Sequence, residues 1–213
     1  MTLQEFSLEF DLLYDNISSN QAPGLTEYEK SVFLTQAQDA LVLDLYKGTS
    51  GDSFETTEEV TRYLNTLVKS KTYNNLTSSS FDENNRLKQT SITLDKDVMF
   101  VTYQVAKSGC DWCLVVPTTQ DNLYKTLQNP FTGPNSKRII SSSEDNKILL
   151  YSIKNLSGLK IKYLQSPEPI ILSALDSDLT IKGKNTALDC ALPECTHQMI
   201  LMRAVQMAKA VWA

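Results

Sequence analysis

The run ILLYSIKNLSGLKIKYLQSPEPIIL, residues 148–172, decides how this chain has to be built. Two apolar strand candidates, 148–153 and 159–164, flank the loop 155–158, four residues ending in glycine, which is a hairpin signal. Pro167 and Pro169 end the second strand, because proline cannot donate to a ladder. Beyond a turn-rich passage comes ALPECTHQMILMRAVQMAKAVWA, residues 191–213. Pro193 suits a first helical position, whose N–H has no partner in any case, and Glu194 suits the positive helix end. Ile200, Leu201, Ala204, Met207, Ala208 and Val211 recur at helical spacing and predict one buried face. A hairpin and a helix each need a cover, so the C-terminal helix is expected to pack on the sheet.

Upstream, the pattern is helical. Leu3, Phe6, Phe10, Leu13 and Ile17 step by three and four behind a cap candidate, Thr2. A breaker at 18–24 contains Pro23 and Gly24. Thr26 and Glu29 form a capping box for a second helix that ends at Gly48, with Phe33, Ala37, Ala40, Leu41 and Leu45 as its expected buried face. After a loop at 48–53, Thr56 and Glu59 cap a third helix carrying Val60, Tyr63, Leu64, Leu67 and Val68.

Residues 71–86, rich in Ser, Thr and Asn, read as a connector. Strand-type runs follow at 89–94, 98–106 and 113–117. Thr119 can cap a short helix to Leu127. A loop at 129–134 precedes another strand at 137–140. The order helices, strands, helix predicts an α+β chain: an N-terminal helical bundle, a mainly antiparallel sheet and a C-terminal helix on that sheet. The expected division is a helical region, 1–85, and a sheet region with the last helix, 86–213, in one integrated domain.

Length and composition agree with a globular protein. The 213 residues can bury a core, and 41% hydrophobic with 21% charged residues argues against large-scale disorder. No run approaches a membrane span. The acidic first residues do not read as a signal peptide, which places the chain in a cytoplasm or in a particle assembled there. Charge is uneven: residues 1–85 hold 14 acids and 5 bases, residues 86–213 hold 11 acids and 15 bases. Such a division allows the acidic half of one copy to sit against the basic half of another.

Little points to chemistry. There is no glycine-rich phosphate loop, zinc-protease helix, nucleophile elbow or calcium loop. The acidic pairs Asp95 and Asp97, and Glu144 and Asp145, fall in turn-like passages, as do Asp176 and Asp178, and read as solvated loop ends. Cys110 and Cys113 form a C-x-x-C, and Cys195 lies near His197. Yet Cys113 runs straight into a strand without the glycine knuckle typical of zinc sites, so the cysteines read as buried structural thiols and no metal or cofactor is expected. One histidine leaves little for histidine-based catalysis. Lys137, Arg138, Lys160 and Lys162, with Lys154, Tyr151 and Tyr163 nearby, could form a basic sheet face, which is the basis for a second reading as a nucleic-acid-binding accessory protein. Alternating lysines also mark any half-buried strand, and the overall acidity opposes tight phosphate binding.

Several stretches resemble a known family. VVPTT at 115–119, NPFTGPNSKR at 129–138 and IKYLQSPEPIIL at 161–172 are similar to a head-to-tail ring (adaptor) protein of crAss-like phages of gut Bacteroidota. So is the stretch from Phe10 to Ala37. LPECTHQMILMRA at 192–204 also resembles the last helix of tail tubular protein A of short-tailed phages. The resemblance implies a virion protein of the neck or tail, assembled in the bacterial host cytoplasm. It implies a homo-oligomeric ring, expected to be a dodecamer, whose partners are the portal protein and other neck or tail rings. Double-stranded DNA would pass through without specific binding, with no membrane partner and no catalysis. It marks Asn129, Pro130, Phe131, Pro134, Arg138, Pro167, Pro169, Leu192, Pro193, Glu194 and His197 as family-motif positions and candidate interface.

Overall fold

The computed structural model describes residues 1–15, 24–48, 58–81, 86–109, 111–176 and 178–212. Two compact units emerge: Met1–Leu67 with Ser166–Ala213, and Val68–Gln165. The first is built on helices and the second on a sheet, in line with the expected α+β class.

In the helical unit, α1 spans Leu3–Asp15, α2 spans Glu27–Lys47 and α3 spans Glu58–Leu64, followed by a 3-10 turn at Asn65–Leu67. The last helix, α5, spans His197–Trp212 behind a 3-10 turn at Glu194–Thr196. It packs on α1 and α2. Thr2 caps α1, its hydroxyl accepting from Glu5 N while Glu5 accepts from Thr2 N. The expected box on α2 is present: Thr26 accepts from Glu29 N, and Glu29 accepts from Thr26 N at 2.8 Å. Gly48 closes that helix at φ 72°, a left-handed value that glycine adopts without a Cβ penalty. Ile17, Pro23, the loop past Gly48 and the cap at Thr56 lie outside the described residues.

Two helix faces differ from expectation. On α2 the buried positions are Lys30, Ser31, Leu34, Thr35, Ala37, Gln38, Leu41 and Val42, whereas Phe33, Ala40 and Leu45 are only half-buried. Of the polar members, Ser31, Thr35 and Gln38 hold an extended segment. Thr35 Oγ1 accepts from Ile170 N at 3.1 Å and donates to Ile170 O at 3.3 Å. Ser31 Oγ accepts from Leu172 N, and Gln38 Nε2 donates to Glu168 O. Side chains of α2 thus satisfy backbone groups on either side of Ile171, which itself pairs with Leu188 in an isolated antiparallel bridge. On α5, Ile200, Leu201, Ala204 and Ala208 are buried as expected, whereas Val205 joins the buried face, Met207 is half-buried and Val211 is exposed.

Among the described residues the sheet unit has eight strands: β1 Val68–Asn74, β2 Ser79–Ser80, β3 Lys88–Thr93, β4 Val98–Ser108, β5 Asp111–Pro117, β6 Arg138–Glu144, β7 Lys147–Ser152 and β8 Gly158–Gln165. Between β5 and β6 runs α4, Gln120–Gln128. The order is β1-β8-β4-β5-β6-β7-β3-β2, antiparallel except for β5 with β6, which α4 joins as a crossover. Ile148 and Leu150 of β7 meet Leu159 and Ile161 of β8 in one core, with Leu156 from the link.

Two strand expectations are corrected. The stretch 148–164 is not a hairpin: β7 pairs with β6 and β3, whereas β8 pairs with β1 and β4. The link's backbone is bound elsewhere, Ser157 N to Lys107 O and Asn75 N to Ser157 O, so the strands face each other across the core instead of edge to edge. Residues 71–74 are not connector but part of β1, which pairs with β8 from Val68↔Leu164 to Asn74↔Gly158. Its inward positions include Lys71 and Tyr73, too polar to signal a core face, with the ammonium bound to Asp95 and 5.0 Å from the Tyr73 ring.

Candidate interface

The loop between α4 and β6 is held by its own side chains. Asn129 Oδ1 accepts from Phe131 N at 2.9 Å and Thr132 N at 3.4 Å, an Asx turn. Gly133 N closes on Asn129 O at 2.8 Å. A Cβ at Gly133 would sit 2.5 Å from that same oxygen, so only glycine fits. Asn135 Oδ1 accepts from Lys137 N and Arg138 N, and Arg138 Nη1 donates to Phe131 O at 2.8 Å.

This fixed loop points its apolar residue outward. Phe131 is 86% exposed, and Tyr124 on α4 is exposed as well. Beside the loop lies a concavity of about 780 Å³, with walls that include Leu87, Leu127, Pro130, Pro134 and Ile153. Leaving a phenylalanine in water forgoes roughly 1.5–3 kcal/mol of burial. An ordered loop that does so has the form of an interface anchor.

Of the family-motif positions, Asn129, Pro130 and Phe131 are exposed on this loop, with Pro134 and Arg138 half-buried. The rest lie in the helical unit, where Pro167, Pro169, Leu192 and His197 are buried, Pro193 is half-buried and Glu194 is exposed. His197 is bonded at both ring nitrogens, Nδ1 to Met1 N and Nε2 to Leu192 O, each 3.0 Å. Burial depresses its pKa.

The cysteines are spread over both units. Cys113 is buried in the sheet core, its thiol directed at Ser136 O. Burial pushes the Cys190 thiol up to about 11, and it donates to Gln38 Oε1 at 3.2 Å. Cys195 is exposed and Cys110 lies outside the described residues. Among the described residues no three His, Cys, Asp or Glu side chains gather as metal ligands. No described helix is long and apolar enough to cross a membrane.

The basic sheet face exists in altered form. Lys160 and Lys162 are exposed on β8, whereas Tyr151 and Tyr163 are buried. Register puts Lys160, Val105, Leu114 and Arg138 in one row across β8, β4, β5 and β6. Sequence reasoning missed the apolar members, Trp112 at 54% and Leu114 at 61% exposure. The signal was available: Cys113 and Val115 point inward, so their neighbours on β5 must point out.

Residues 1–213 match the phage tail ring protein 3/4 family, and the chain belongs to that family. It is 39% identical to Ring protein 3 of Bacteroides phage crAss001 over 222 residues, covering 98% of this chain and 95% of the relative. It is 32% identical to Ring protein 4/5 of the same phage over 225 residues, covering 100% and 94%. The chain is therefore a structural component of a crAss-like phage virion, of the ring type, and its family is not one of enzymes.

Proposed function

We propose that the chain forms a closed homo-oligomeric ring, a dodecamer, in the phage neck, joining portal to tail around the DNA passage. The observation that carries this reading is the whole-length match to phage ring proteins. The Phe131 loop supports it, since a ring needs heterologous contacts that close after a fixed number of copies, and such contacts need anchors. The passing duplex meets acid: the helical unit holds 17 acids against 7 bases, and facing the lumen it repels phosphates and keeps DNA sliding.

Peptide mass spectrometry of purified virions, quantified against the portal protein, tests the placement. A one-to-one ratio, or a small whole multiple, is expected. Absence from clean particles sinks the neck reading. A ring structure with the basic sheet face on the lumen would overturn the sliding mechanism alone.

The second reading, a nucleic-acid-binding accessory protein using Lys137, Arg138, Lys160 and Lys162, is favoured only by the exposed lysines of β8. Arg138 is already engaged with the Phe131 carbonyl.

A further inference from the structure

Two surfaces, one on each unit, are left apolar and charged with opposite sign. On α1, Phe6 and Phe10 are buried, while Leu8 and Leu12 are 71% and 63% exposed. Successive residues turn by about 100°, so Leu8 and Leu12 share the outward stripe with Asp15, flanked by Glu5 and Glu9. Asp15 ends the helix, where a negative charge is unfavourable, and no basic residue lies in that last turn. On the sheet, Trp112 of β5 stands opposite Lys107 of β4 and Leu114 opposite Val105, and Val105 in turn stands opposite Lys160 of β8. Lys107 Nζ lies 6.0 Å from the Trp112 ring centroid. Among the described residues, neither Glu9 nor Asp15 has a cationic salt-bridge partner, and Lys107, Lys160 and Lys162 have no acidic one.

We propose that α1 of one copy lies on the outer face of β8-β4-β5 of the next copy, and that this contact propagates the ring. The proposal rests on the ring reading above and names its interface. Spacing agrees: Leu8 and Leu12 are about 6 Å apart along a helix, and Trp112 and Leu114 about 6.8 Å apart along a strand. Two leucines therefore seat on two apolar side chains, with Glu9 and Asp15 directed at the lysines. Charge by unit points the same way. The helical unit has 17 acids and 7 bases, net −10, and the sheet unit has 8 acids and 13 bases, net +5; together they give the chain's −5. An apolar centre rimmed by opposite charges is the anatomy of a protein contact, whereas a phosphate-binding face needs no exposed Trp112 and Leu114 at its middle.

The test uses two full-length charge reversals, Lys160→Glu with Lys162→Glu, and Glu9→Lys with Asp15→Lys, followed by sedimentation over a wide concentration range. The wild type is expected to assemble. Each variant alone opposes like charges at every contact and should need at least about tenfold more protein to assemble. A one-to-one mixture of the two restores every contact in alternation and should assemble like the wild type. That recovery also shows that both variants fold. Variants that assemble unaided overturn this contact and leave the ring reading intact, as does a mixture that stays apart. A wild-type chain that remains monomeric up to its solubility limit overturns both. Tight wild-type binding to plain duplex DNA that the lysine reversal abolishes assigns the face to nucleic acid and overturns the contact.

Discussion

His197 shows how one residue can be a family-motif position and yet a structural one. Its ring closes the start of the last helix, accepting at Nδ1 from Met1 N and donating from Nε2 to Leu192 O, which requires the neutral form. The Phe6 ring sits 5.2 Å from it, adding to a setting that disfavours charge. Burial lowers the pKa below the ordinary 6.5, although the Leu192 carbonyl acts in the other direction. A depressed histidine pKa means that the unfolded chain binds a proton more readily than the folded one. Its contribution to stability is complete above 6.5 and is lost as pH falls through that value toward the folded pKa. Since this is the chain's one histidine, denaturant midpoints measured across this range should drop toward acid in the wild type. In His197→Gln the part of the slope centred near 6.5 should vanish, leaving the carboxylate-driven loss at lower pH. A variant with the same slope as the wild type rules out this histidine as its origin.

At the scale of elements, what the sequence made legible followed from local chemistry. Caps at Thr2 and Thr26, the glycine after α2, the crossover helix and most strands need only a few neighbouring residues to specify them. What stayed hidden depended on partners distant in the chain. The loop before Gly158 looks like a hairpin turn because turn chemistry is local, whereas the choice of β4 over β7 as neighbour is not. β1 escaped notice because Lys71 and Tyr73 face inward only by virtue of Asp95 and the opposing β8. The Phe131 loop was legible as a motif, but its rigidity depends on Arg138 reaching back to a carbonyl. The α2 stripe was misphased because hydropathy gives no credit to Ser31, Thr35 and Gln38, whose burial makes sense only beside the 168–172 backbone. That explanation has a measurable consequence. Thr35→Val keeps the shape but strips both Ile170 backbone groups of their partner in a buried site, and should cost about 1–3 kcal/mol in chemical denaturation. Thr35→Ser, which retains the hydroxyl, should lose markedly less. Equal losses would mean that packing, not the hydroxyl, accounts for threonine there.

For the whole molecule, the division into units is itself a design statement. The sheet unit is inserted between Leu67 and Ser166, and its two ends are adjacent: Val68 stands opposite Leu164 in the β1–β8 ladder. The core cluster described within it is drawn from β3 to β8 and the 153–157 link. A unit whose ends meet can be removed without stretching the remainder, and closing such a gap is entropically cheap for short links. Residues 68–165 expressed alone are therefore expected to unfold cooperatively, with the circular-dichroism signature of a sheet and coincident transitions by two probes. The complementary chain, with Leu67 joined to Ser166 by a few glycines, should keep its helices. The separated units also bear on assembly. Carrying net charges of opposite sign, they should associate with each other in trans at low ionic strength if α1 and the β8-β4-β5 face are true partners, and lose that association as the Debye length shrinks from about 10 Å at 0.1 M salt to about 3 Å at 1 M. An isolated 68–165 that stays unfolded would mean the sheet depends on the helices, and the chain would then have to be treated as one cooperative body.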